Sequence, residues 1–209
     1  MWNLLKLELR RSKFKWANII IILLNISRIV LVYIFKNSEH NYINEIYFIA
    51  IAFGFLYISD SEIDKTDIIM NSIPVSKRQI VNNNYITLLI IFIISLIYTL
   101  IYFGILKVLG FDQLEALSIK HIIISLSIFI IHTSILLPIY HISPRIMYAF
   151  FTIISFYTGR SIVTRNKVAI ERLLLGNGAL ILFLVSLILL IISILISYHN
   201  YNKREFVRG

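Results

Sequence analysis

Cysteine does not occur in this chain, which excludes disulfides, thiolate metal sites and cysteine nucleophiles. Charge is scarce too: charged residues make up 15% of the 209 residues, and only 11 are acidic. No G-x-S-x-G occurs, and His40, His121, His132, His141 and His199 show neither H-E-x-x-H nor any paired spacing. A hydrolytic centre and a metal site therefore lack their usual ligands and nucleophiles. No carboxylate pair sits inside an apolar run, and the acidic residues gather in polar stretches, which argues against a proton-coupled carrier with an intramembrane relay. A cleavable signal peptide is not evident, because Met1 to Trp16 is polar and basic and no small-residue cleavage pattern follows the first apolar run. What the chain does have is hydrocarbon: 58% of residues are hydrophobic and the mean hydropathy is +0.83, outside the soluble range. The bilayer is the first partner to infer.

A helix crosses the hydrocarbon core with roughly 20 apolar residues, whereas barrel strands would show alternating segments of about ten. The runs here are helical, and predict an all-α integral membrane protein with six transmembrane helices in a single domain, residues 1–209. The expected spans are Ala17 to Phe35, Tyr42 to Ser59, Tyr85 to Leu106, His121 to Tyr140, Ile146 to Val163 and Ala179 to Tyr198. Residues 1–16, with Trp2, Leu4, Leu5, Leu7, Leu9, Phe14 and Trp16 interleaved with five bases, read as an interfacial amphipathic helix on anionic lipid. An ordinary basic flank that fixes topology accounts for the same residues.

Basic residues give the orientation. Lys6, Arg10, Arg11, Lys13, Lys15, Lys65, Lys77, Arg78, Arg145, Lys203, Arg204 and Arg208 fall on one side; Lys36, Lys107, Lys120, Arg160, Arg165, Lys167 and Arg172 fall on the other. The richer side is cytoplasmic, so both termini are expected in the cytoplasm of a multi-pass plasma-membrane protein. Because these charges sit in short loops and ends, they record orientation and do not point to nucleic acid. The basic 160–172 segment fits this scheme worst, and a re-entrant or interfacial turn packed against protein would accommodate it.

The polar segment 60–78 carries the strongest local signals. Ser61 with Asp64 has capping-box form, and Asp60, Glu62 and Asp64 place negative charge where a helix N-terminus is positive. Ile63, Thr66, Ile69 or Met70, and Ile73 then share one helical face, and Pro74 stops the turn. That face can lie on the membrane or on a partner; a solvated loop with good caps is the alternative. Ser76 with Gln79 forms a second capping box, so a helix is expected to begin near Lys77 and run into the third span.

Within the spans, Arg28 is costly at about 2.5 to 3.5 kcal/mol and calls for pairing, with Glu39 or Glu45, or for snorkelling. With Asn25 and Ser27 it is a candidate for an internal, substrate-path face. His132, Thr133 and Ser134 are the other intramembrane polar cluster, read either as a helix-to-helix hydrogen bond or as part of a substrate path. Asn82, Asn83 and Asn84 are expected to end the loop at the interface, and Pro138 with Ser143-Pro144 to mark the turn between the fourth and fifth spans.

The order of these elements is recognisable. A basic Leu-rich start (Leu4-Leu5-Lys6-Leu7-Glu8), two spans, an acidic helix ending in Asn71-Ser72-Ile73-Pro74-Val75-Ser76-Lys77-Arg78, four further spans and a terminal Tyr201-Asn202-Lys203-Arg204-Glu205-Phe206 resemble the short permeases of type-2 ATP-binding-cassette exporters. Small permeases of phenol-soluble-modulin and other peptide exporters are the nearest members suggested. The resemblance implies a six-helix half-transporter that pairs with a second permease, identical or different, and with separate ATPase subunits. It makes residues 60–78 a cytoplasmic coupling segment, with Glu62, Ile63, Asp64, Thr66, Asp67, Ile69, Met70, Pro74, Lys77 and Arg78 at the ATPase interface. It also implies that the segment before the last span, Arg160 to Gly178, re-enters the membrane. The chain has no G-x-x-x-x-G-K-[ST], so no cofactor and no catalytic residue are expected in it, and ATP and Mg belong to the partner. An amphipathic peptide or other hydrophobic substrate fits the apolar walls. The rival readings are a membrane-embedded enzyme and a non-transporting assembly or peptide-immunity factor.

Overall fold

The computed structural model describes residues 42–61, 76–110, 117–142 and 176–203. The expected first and fifth spans, the interfacial arm and most of the coupling segment lie outside these residues. Four helices make up the described part: α1 (Tyr42–Ser61), α2 (Lys77–Val108), α3 (Ile119–Ile142) and α4 (Gly178–Lys203). Of these, α2, α3 and α4 are long and apolar enough to cross a membrane, whereas the apolar stretch Glu45–Gly54 of α1 is shorter.

Local chemistry fixes where α2 starts. Ser76 holds an extended backbone; its Oγ accepts from the Gln79 amide at 3.3 Å, and Gln79 Oε1 accepts from the Ser76 amide at 3.1 Å. The capping box expected from Ser76 and Gln79 is formed in both arms, and such a cap stabilises a helix end by about 1 kcal/mol. At 1.5 Å per residue the 32 residues of α2 extend about 48 Å, more than the roughly 30 Å hydrocarbon layer, so α2 continues past the apolar zone. Gly110, with φ of 87°, takes the left-handed conformation just beyond the helix end.

Two local expectations change. The helix expected to open behind Ser61 is not one of them: Ser61 is described within α1, and the residues that would build the new helix lie outside the described ones. Pro138 lies inside α3 and marks no turn. The carbonyl that the ring frees is that of Ser134, a cost that membrane helices tolerate; separately, Asn200 Nδ2 of α4 donates to the Pro138 carbonyl at 3.2 Å. Asn82, Asn83 and Asn84 sit in the second turn of α2, where Asn83 and Asn84 are buried and do not end a loop.

The helices form a ring in the order α1, α2, α4, α3, with α2 and α3 meeting only slightly across the middle. Their directions follow from paired residues. Near one end, Lys77 of α2 reaches Asn202 of α4, and His141 of α3 lies against Tyr201 of α4. At the other end, Tyr42 of α1 stacks on Phe103 of α2 at 3.8 Å between centroids, and Ile43, Ile124 and Ala179 pack together. Hence α1, α3 and α4 run parallel and α2 runs against them. The chain leaves α3 at one end and enters α4 at the opposite one.

The main core is built from Ile46, Ala50 and Phe53 of α1, Leu88, Ile91 and Phe92 of α2, and Phe129, Leu136 and Leu137 of α3. Helix α4 packs differently: Ala179, Ser186, Ser193 and Ser197 are its buried stripe, while Leu184, Ile188, Ile191 and Leu195 are exposed. Small residues at the seam let helix backbones approach closely, and lipid supplies the apolar surroundings for the exposed face. Five hydroxyls inside the bundle are satisfied by their own helices. Thr87, Ser95, Thr99, Ser125 and Ser127 each donate to the carbonyl four residues earlier at 2.7 to 2.9 Å, which removes the cost of burying them.

Candidate functional site

Of the residues expected at the ATPase interface, Glu62, Ile63, Asp64, Thr66, Asp67, Ile69, Met70 and Pro74 lie outside the described residues, as do Asn25 and Arg28. Lys77 and Arg78 are described, and both are exposed on the first turn of α2. The Lys77 ammonium donates to the backbone carbonyl of Asn202 at 3.3 Å, so the residue that opens α2 is tied to the last turn of α4.

His132 and Ser134 are buried on α3 at 7% and 8% exposure. Tyr47 Oη and His132 Nδ1 share a hydrogen bond of 3.1 Å between α1 and α3, and their rings meet edge-on at 6.0 Å. The helix-to-helix reading of this histidine is the one the geometry supports, and such a bond contributes about 0.6 kcal/mol on average within a membrane. Beside the pair, a small gap of about 10 Å³, no larger than one water needs, is lined by Ile51 and Gly54 of α1, Leu88 of α2, and Phe129, His132, Thr133, Leu136 and Leu137 of α3. Ser134 Oγ has no hydrogen-bond partner among the described residues, and the carbonyl of Ser134 is the one that Pro138, lacking an amide hydrogen, cannot serve.

Several polar side chains that sequence reasoning passed over are brought together between α2 and α4. Tyr85 Oη lies 2.6 Å from Ser193 Oγ and 2.9 Å from Ser197 Oγ, and all three residues are buried. One turn nearer the start of α2, the Tyr198 hydroxyl donates to Asn82 Oδ1. A sequence signal for this seam existed: Ser186, Ser193 and Ser197 are 7 and 4 residues apart, which places them on one helical face. Glu45 was also underread. It is an acidic residue within a helix, buried at 4% exposure in the first turn of α1.

Two further described histidines, His121 and His141, make contacts within the bundle. His121 Nδ1 accepts from the Ser118 amide at 3.1 Å and lies 2.6 Å from Ser118 Oγ, closing the start of α3. His141 is fully buried between the rings of Tyr140 and Tyr201 at 5.2 and 5.3 Å. Among the described residues, no three His, Asp or Glu side chains gather in a way that could hold a metal ion.

The arrangement is thus a helical membrane bundle with polar links between helices, in which the described residues bring together no nucleophile, base and acid. Comparison with curated proteins and with solved structures returns no match. Comparison with protein families returns a match over residues 3–202 to the family described as ABC-2 family transporter protein. Since that match covers nearly the whole chain, the protein belongs to the ABC-2 transporter family as a membrane component, a family whose permeases associate with an ABC ATPase subunit.

Proposed function

We propose that this chain is the six-span permease subunit of an ABC exporter, moving an amphipathic peptide or other hydrophobic substrate across or out of the cytoplasmic membrane. The observation that carries the reading is the family match over residues 3–202. Energy comes from ATP hydrolysed with Mg on separate ATPase subunits, and a second permease, identical or different, completes the pathway. Both termini are cytoplasmic. The parallel course of α3 and α4 supports the six-span count, because a chain that leaves α3 at one end and enters α4 at the other needs a crossing between them.

In this reading residues 60–78 form the coupling segment, docking through Glu62, Asp64, Asp67 and the apolar face of Ile63, Ile69 and Met70. Closure of the ATPase pair displaces that segment, and rigid-body movement of the spans re-orients a central path. Asn25, Arg28, His132 and Ser134 are its polar candidates.

The experiment is co-purification. The chain is expressed together with any P-loop protein that its neighbouring coding sequences specify, extracted in mild detergent and isolated by a tag on the permease. The ATPase is expected to co-elute and to hydrolyse ATP in the complex. A permease that elutes without any ATPase would instead favour an assembly or immunity factor.

A further inference from the structure

Lys77 opens α2 and Lys107 stands in its last turn. At 1.5 Å per residue they are about 45 Å apart, which equals a bilayer with both headgroup layers, about 40–45 Å. Lys77 and its neighbour Arg78 therefore lie at headgroup level, and both are exposed. Helix α4 ends at the same level, because the Lys77 ammonium donates to the Asn202 carbonyl, and exposed Lys203 is the next residue. Three cations thus stand at one end of the α2–α4 pair. Among the described residues the carboxylates are Glu45 and Asp60, both on α1, so α2, α3 and α4 bring none to this patch. Asp60 is at the same end, but α1 lies on the far side of α2 from α4. At the opposite end, Lys107 and Lys120 belong to α2 and α3, which meet only slightly.

Below the patch the two helices frame a groove. The Tyr198 hydroxyl donates to Asn82, so the faces that carry these residues meet. On α2 that face runs through Arg78, Asn82, Leu89 and Ile93, and on α4 through Asn202, Tyr198, Leu195 and Ile191, each set at helical spacing. Leu89, Ile93, Ile191 and Leu195 are 39 to 61% exposed although they flank a helix-to-helix contact, so the groove is open to lipid. At 1.5 Å per residue Leu195 and Ile191 lie about 10 and 16 Å from the level of Asn202, within one leaflet of a roughly 30 Å hydrocarbon layer. From these observations we infer that the α2–α4 groove seats one anionic phospholipid, its phosphate held by Arg78 and Lys203 and an acyl chain lying on Leu89, Ile93, Ile191 and Leu195. Lys77 is the positioning residue, since its bond to Asn202 keeps the two helix ends together. A zwitterionic lipid has no net charge to match this patch, whereas basic sites between spans on the cytoplasmic side suit anionic headgroups. The inference depends on insertion in a membrane and not on an ATPase.

Tryptophan fluorescence reads the groove directly, because the chain has only Trp2 and Trp16. With Trp2→Phe and Trp16→Phe in place, Leu195→Trp puts one reporter in the groove. Ile135→Trp puts one on the exposed face of α3 at a similar depth, since Pro138 is level with Asn200. Each full-length chain is reconstituted in vesicles of phosphatidylcholine and phosphatidylglycerol, with bromine on the acyl chains of one lipid or the other. At position 195 brominated phosphatidylglycerol is expected to quench severalfold more than its share of the mixture gives, and high salt should weaken that preference. At position 135 each lipid should quench according to its share. Arg78→Gln with Lys203→Gln should make position 195 behave like position 135, while insertion is unchanged because both side chains are exposed. If Leu195→Trp does not insert, Ile191→Trp is read by the same criteria. No preference at 195 with Arg78 and Lys203 in place overturns the site, and so does a preference that survives the double variant. A double variant that loses a co-eluting ATPase but keeps its lipid preference overturns it too, and gives these cations to the protein partner. Quenching is measured on the permease alone, so failure of the permease reading is seen separately, by co-purification.

Discussion

Reversing two charges, Asp64→Lys together with Asp67→Lys, is expected to strip the ATPase from the purified complex, lowering its yield at least about tenfold. Both residues belong to the polar segment between α1 and α2, where Asp60, Glu62, Asp64 and Asp67 concentrate four of the chain's 11 acidic residues. Negative charge near a helix start is favourable, and two lysines there would oppose the helix as well as any basic surface that meets it. Truncating a buried charged contact costs about 2 to 5 kcal/mol, so a tenfold loss, about 1.4 kcal/mol, is a conservative expectation. The four described helices contain neither residue, and insertion into the membrane fraction should be unchanged. Tagged permease from membranes, compared for bound ATPase and for total amount, checks both halves. Undiminished ATPase would remove these two residues from the interface.

The second large effect concerns packing within the bundle. Phe129→Ala is expected to destabilise the protein by about 3 to 5 kcal/mol, whereas Ile135→Ala on the same helix should have little effect. Phe129 is 2% exposed in the main core and meets the ring of Phe92, while Ile135 is 52% exposed. Lipid tails are as apolar as a leucine side chain, so the exposed isoleucine gains almost nothing from facing protein or bilayer. The buried phenylalanine is held by close contacts, and its removal leaves a cavity that neighbouring helices only partly fill. Temperature-dependent loss of the monodisperse species in detergent separates the two: early loss for Phe129→Ala, an unaltered profile for Ile135→Ala. Equal profiles would contradict the packing of α1, α2 and α3 described above.

Features governed by near neighbours in the chain were legible in the sequence. The start of α2 follows from Ser76 and Gln79, because a capping box needs only four consecutive residues. Long apolar stretches likewise announce α2, α3 and α4, since membrane crossing depends on length and composition. Rules calibrated on water-exposed chains misled at Pro138 and at Asn82 to Asn84. Proline reads as a turn and asparagine as a loop, yet in a bundle their backbone and amide groups find partners on α4, at Asn200 and Tyr198. The serine seam was hidden for a related reason: Ser193 and Ser197 look like neutral members of an apolar run until Tyr85, more than a hundred residues earlier, is placed beside them. His132 was recognisable as a helix-to-helix contact, but only the packing of α1 on α3 identifies Tyr47 as its partner. Residues 62–74 lie outside the described part, so their role as a docking surface stands on charge pattern and family membership.

The account depends most on where the segment between α1 and α2 lies. In the cysteine-free background, Lys65→Cys provides a single reactive site in that segment, and charged maleimides that do not cross membranes report its side. Labelling is predicted in inside-out vesicles and not in intact cells. Labelling of Lys65→Cys in intact cells would place the segment away from any ATPase and contradict the proposed coupling.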